Sequence, residues 1–68
     1  MHLGHQLRKY VEKNYSTKSD FARAIDCSPQ LLHSYMRREN IKYSTITRIA
    51  RSMGMEAAEL MALLVACE

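Results

Sequence analysis

Covalent and metal-held scaffolding is scarce in this chain: its 68 residues include only two cysteines, Cys27 and Cys67, far apart in sequence. They lack the paired spacing of a disulfide framework and no stretch reads as a secretory leader, so a reducing, cytoplasmic setting is expected. Long apolar runs are also missing. The longest, Leu60 to Cys67, is eight residues, against the roughly 20 needed to cross a bilayer, which excludes a membrane span. There is no glycine-rich phosphate loop and no Ser/His/Asp set with a scaffold to place it, so neither catalysis nor a cofactor is expected. Of His2, His5, His33, Cys27 and Cys67, only His2 and His5 have local ligand spacing, and no metal site is expected.

What is present is charge, unevenly placed. Residues 1–54 carry ten Lys or Arg against four Asp or Glu, a balance of +6, whereas residues 55–68 carry three Glu and no base, a balance of −3. A basic region beside an acidic, apolar tail suggests a polyanion partner for the first and a protein partner for the second; an ordinary solvated surface is the plain alternative. A chain this short buries only about 60% of its unfolded surface. Its stability should be marginal, and dimerisation would help.

Apolar spacing predicts five helices and no strands. Leu3, Leu7, Tyr10 and Val11 define the first, through about residue 13, with Asn14 as a left-handed stop. Thr17, followed three residues later by Asp20, opens the second, which buries Phe21, Ala22 and Ile25 and ends near Ile25. Ser28 caps the third, and Pro29 takes its first helical position, where no backbone donor is missed. Ser44 opens the fourth, which carries Ile46, Ile49, Ala50 and Met53 on one side, Arg51 in its last turn and Gly54 just beyond. The fifth runs from about Glu56 to Cys67, with Glu56 and Glu59 near its positive dipole end. Its apolar residues spread around the cylinder instead of forming one stripe. Leu60, Met61, Leu63, Leu64 and Val65 are therefore candidate homodimer contacts, the alternative being a core plug with scattered exposed residues.

Residues 17–38 then read as two short helices hinged by a brief turn, the shape of a helix-turn-helix DNA reader. On a wheel turning about 100° per residue, Gln30, Ser34 and Arg37 share one side of the third helix, flanked by His33 and Arg38, with Leu32, Tyr35 and Met36 opposite. Gln30 suits bidentate contact with adenine, and Ser34 can pair with several base edges. Leu31 lies at the edge of the groove face, where it either touches a thymine methyl or finishes the core; His33 meets a base, a phosphate or solvent. Lys18, Arg37, Arg38 and Lys42 are the phosphate donors expected around the rim. Amides in the first turns of the second and third helices, the latter beginning at Ser28, can add main-chain bonds to phosphate.

At these residues the chain resembles the Cro/CI-type helix-turn-helix proteins, also called the XRE family, of phage repressors and small bacterial regulators. The resemblance covers about residues 5 to 65. It rests on Phe21-Ala22, the turn Asp26-Cys27-Ser28, Leu32 and Tyr35, the pair Ile49-Ala50, Gly54 and Leu60. It implies an all-α, compact five-helix, lambda-repressor-like domain, and operator binding as a homodimer with base contacts from Gln30 and Ser34 and phosphate contacts at Lys18 and Arg37. Three positions depart from the pattern: Asp26 stands where glycine is usual, Lys18 where glutamine is frequent, and Pro29 where many relatives carry a base-reading side chain. The short chain looks more like a Cro-type repressor than a long phage repressor with a further domain. An antitoxin, or an interaction module using the last helix to bind a different protein, is the rival expectation.

Overall fold

The computed structural model describes residues 1–67. Among them are α1 (Leu3–Asn14), α2 (Lys18–Ala24), α3 (Pro29–Arg37), α4 (Tyr43–Ser52) and α5 (Ala57–Ala66), and no strand. Each helix contributes one apolar face to a single core. Leu7 and Val11 come from α1, Phe21 and Ala22 from α2, Leu32, Tyr35 and Met36 from α3, Ile46, Ile49 and Ala50 from α4, and Ala57, Leu60 and Leu64 from α5. Burial of each large side chain in this set contributes about 1.5–3 kcal/mol. Because the principal extents are only 23 × 21 × 20 Å, every helix also keeps an outer face.

Helix boundaries follow local chemistry. Thr17 Oγ1 accepts from the Asp20 amide at 3.1 Å and Ser28 Oγ accepts from the Leu31 amide at 3.1 Å, so α2 and α3 start where short hydroxyl side chains satisfy orphan donors. At the end of α2 the Cys27 amide donates to Ala22 O and the Asp26 amide to Arg23 O, the two bonds of a Schellman stop, with Asp26 in the left-handed region at φ 55. The same pair of bonds closes α4: Gly54 N to Arg51 O and Met55 N to Ala50 O, with Gly54 at φ 75. Asp26 does this work with a Cβ in place, a conformation its short polar side chain tolerates better than most.

Two boundary expectations are corrected. Asn14 is not left-handed: it is the last helical residue, its Nδ2 donates to Tyr10 O at 2.9 Å, and the chain leaves through extended Tyr15. Ser44 does not open α4 either. That helix starts one residue earlier, behind Lys42, with no side-chain cap.

The placement of α3 depends on α1. The Gly4 and Leu3 amides donate to the carbonyls of Arg38 and Glu39 at 2.9 and 2.8 Å, so the strand of chain leaving α3 fills the donors that the start of α1 leaves open. This close approach requires glycine, because a Cβ at Gly4 would collide with the backbone carbonyl oxygens of Met36 and Arg38. On the other side of α1, buried Gln6 donates from Nε2 to Leu64 O at 2.8 Å, satisfying a carbonyl in the last turn of α5.

Gly4→Ala is therefore expected to destabilise the domain by about 1–3 kcal/mol, the usual cost of overpacking a closed contact. Urea unfolding checks it, through a lowered midpoint at an unchanged slope; an unmoved midpoint would show that α1 and the segment after α3 separate without cost.

Candidate nucleic-acid interface

The two sides of α3 separate as its wheel requires. Leu32, Tyr35 and Met36 are buried, while Gln30, His33 and Arg37 are exposed and Ser34 is partly buried at the margin. Leu31, left open between groove and core by its position, is 37% exposed and outside the core cluster. The inward side is pinned at Tyr35, whose phenol oxygen accepts from Arg48 Nη2 of α4 at 2.6 Å. The outward side presents an amide, a hydroxyl, an imidazole and a guanidinium, which together can donate and accept hydrogen bonds along one helical edge.

Of the expected phosphate donors, the structure brings two together. Lys18 of α2 and Arg37 of α3 line one open cleft of about 270 Å³, with His33 beside them and Met36 at its wall. Lys42 is exposed but lies outside that cleft, at the residue before α4. Arg38 corrects its expected place: it is beyond the helix end, in extended backbone, so the wheel does not apply to it. Its guanidinium lies 5.8 Å from the Tyr35 ring centroid, a cation–π approach that leaves the charge on the surface. Ser28 is exposed, with its hydroxyl accepting the α3 cap bond.

Two residues outside the expected DNA contacts, His5, singled out only for its spacing with His2, and Arg8, complete the lining from α1. Nothing in the sequence says which edge of α1 meets α3. Arg8 is steadied by Glu12, Nε to Oε2 at 3.2 Å. His5 stacks on His2 with ring centroids 3.7 Å apart, and His2 also accepts the His5 amide at 3.1 Å, so one imidazole both caps α1 and supports the other.

The remaining chemistry is limited. Among the described residues no three His, Cys, Asp or Glu side chains converge as a metal site would need. Cys27, in the turn between α2 and α3, has its thiol pushed up by burial, with Asp26 adding to the shift and Arg48 and a backbone hydrogen bond at Leu32 opposing it. It is held as a thiol, not a nucleophilic thiolate. No helix among the described residues is long and apolar enough to cross a membrane.

In α5 the expected dimer residues divide. Leu60 and Leu64 are completely buried in the core of their own chain and cannot reach a partner, and Met61 is partly buried against that core. This corrects their assignment: the packing of α5 on α1 and α4 consumes that side of the helix. Leu63 and Val65 are 39% and 45% exposed, and with exposed Ala58, Ala62 and Ala66 they leave the outer side of α5 beyond Glu59 without a charge.

Comparison of the chain with protein-family models, with curated proteins and with solved structures returned no match.

Because Leu64 is core, Leu64→Glu is expected to abolish cooperative folding, since a buried unpaired carboxylate costs several kcal/mol in a domain whose total stability is about 5 kcal/mol. Leu63→Glu, on the outer side, should leave the thermal midpoint nearly unchanged. Thermal unfolding of the two variants side by side distinguishes them; equal loss in both would place Leu63 in the core as well.

Proposed function

We propose that this chain is a sequence-specific double-stranded DNA-binding regulator, in which α2, the Asp26 turn and α3 act as a helix-turn-helix and α3 enters the major groove. The observation that carries this reading is the exposed edge of α3, where Gln30, His33 and Arg37 face solvent while Arg37 shares a cleft with Lys18 at the start of α2. Gln30 is at the N-terminal end of α3, the end that reaches base edges in such motifs, and its amide matches the acceptor and donor of adenine. Ser34, His33 and Leu31 supply the neighbouring contacts, and Lys18, Arg37, Arg38 and Lys42 hold phosphates, with the first-turn amides after Ser28 adding main-chain donors.

The five-helix order, the two Schellman stops and the burial of Phe21-Ala22 in the common core support a lambda-repressor-like arrangement and hence a Cro/CI-type, XRE-family regulator working in the cytoplasm. The outer side of α5, through Leu63 and Val65, is the proposed homodimer contact, which pairs two readers on a palindromic operator. The same uncharged side favours one alternative: an antitoxin or interaction module whose α5 binds a different protein. The activity proposed is binding and repression, without catalysis or a cofactor.

Selection of bound duplexes from a random pool, followed by gel shifts at low and moderate salt, tests the reading. Gln30→Ala is expected to lose about 1–3 kcal/mol of discrimination on the selected sequence while leaving non-specific binding nearly intact; equal losses on both DNAs would remove Gln30 from base reading. Arg37→Ala should weaken binding to every sequence and lower the slope of log affinity against log salt by about one. An unchanged slope takes Arg37 off the phosphate. No duplex binding at any salt would leave the protein-interaction alternative standing.

A further inference from the structure

We infer that the cleft between α1, α2 and α3 is a phosphate-group site that α1 completes, with His5 and Arg8 joining Lys18, His33 and Arg37. The inference rests on the reading above only in sharing Lys18, His33 and Arg37 with it; the contribution of α1 is a separate observation.

Five basic side chains from three helices line one space of about 270 Å³, and no carboxylate is part of that lining. Arg8, Lys18 and Arg37 bring positive charge together there, with that of Arg8 partly offset by Glu12, and solubility alone needs only that such charges be spread. Two of the groups have side-chain partners. Arg8 pairs through its Nε with Glu12 at 3.2 Å, which leaves its remaining guanidinium N–H groups to donate elsewhere. His5 stacks on His2, and Arg37 and His33 project from α3, whose Met36 is buried at the wall of the cleft. The other acid nearby on α2, Asp20, lies 3.9 Å from Arg23. Lys9 follows Arg8 on the exposed side of α1.

A phosphate group suits this lining: it offers several acceptor oxygens to guanidinium forks and a concentrated charge to an ammonium. The phosphate belongs either to a nucleic-acid strand, in which case α1 extends the contact beyond the α2–α3 unit, or to a free phosphate-bearing molecule.

The test follows the ring signals of His5 and His33 by NMR at constant ionic strength with two probes, inorganic phosphate and a duplex of about 20 base pairs, long enough to span several phosphates. Wild-type protein is compared with Arg8→Gln and with Lys13→Gln, which removes a charge from the same helix outside the cleft. Arg8→Gln is expected to weaken binding about tenfold, as for loss of a charge-assisted pair, and Lys13→Gln by much less.

If Arg8→Gln does no more than Lys13→Gln with both probes, the inference is overturned. Duplex binding that Arg8→Gln leaves unmoved, with no phosphate effect, ends this inference and leaves the DNA reading intact. Phosphate binding that depends on Arg8, with no duplex bound, assigns the cleft to a free phosphate-bearing molecule and removes the DNA reading.

Discussion

The orientation of α3 is the constraint from which the rest of the molecule follows. Its three buried side chains, Leu32, Tyr35 and Met36, set which edge faces solvent, and both of its ends are clamped by backbone hydrogen bonds. At the start, the Schellman bonds across Asp26 turn the chain and the Ser28 hydroxyl closes the first turn. At the finish, the carbonyls of Arg38 and Glu39 are taken by the amides of Gly4 and Leu3. A helix of nine residues would be marginal by itself in water, where a stable isolated helix needs about 12–15 residues. Its order comes from these clamps and from the core, and that order keeps an edge of polar groups at a fixed aspect.

The same clamps explain why α1 belongs to the surface around α3 instead of serving only as a lid on the core. Gly4 brings the start of α1 against the end of α3, and the next residue, His5, and Arg8 about one turn further along line the cleft that Lys18 and Arg37 share. The charge surplus of the first 54 residues, ten bases against four acids, is thus partly gathered by packing that the charges themselves do not drive. Exposed ion pairs such as Arg8–Glu12 contribute little to stability.

How far the sequence could be read depended on whether a residue's role was local. Ser28, Pro29 and Gly54 act within a few residues of themselves, and each does in the structure what its position predicts: hydroxyl cap, first helical residue and left-handed stop. The inward set Leu32, Tyr35 and Met36 was legible because α3 has a clear amphipathic period. Where the period failed, so did the reading. In α5 nearly every residue is apolar, so the wheel could not distinguish Leu60 and Leu64, which fill the core, from Leu63 and Val65, which stay outside. Gly4, His5 and Arg8 were missed for another reason: their roles arise from a crossing between helices far apart in sequence, and no local pattern encodes it. Asn14 and Ser44 misled because residues suited to a helix end are also tolerated one position inside it, and boundaries are the least determined part of any helix.

The position of α1 also relates the basic cleft to the exposed side of α5. Gln6, on the buried side of α1, bonds to the Leu64 carbonyl of α5, while Gly4, two residues earlier, abuts the end of α3. The same helix therefore ties the basic cleft to the helix whose outer side is uncharged beyond Glu59. If a second copy covers that outer side, α1 leaves little freedom for the two α3 helices to vary their spacing, because each is linked to its own α5 through closed backbone and side-chain bonds, not through a flexible connection. A palindromic site demands such fixed spacing, since its half-sites repeat at about one helical turn of DNA. The exposed side of α5 runs from Ala58 to Ala66, and for a pair joined there simultaneous engagement of two half-sites would add to the association through effective concentration.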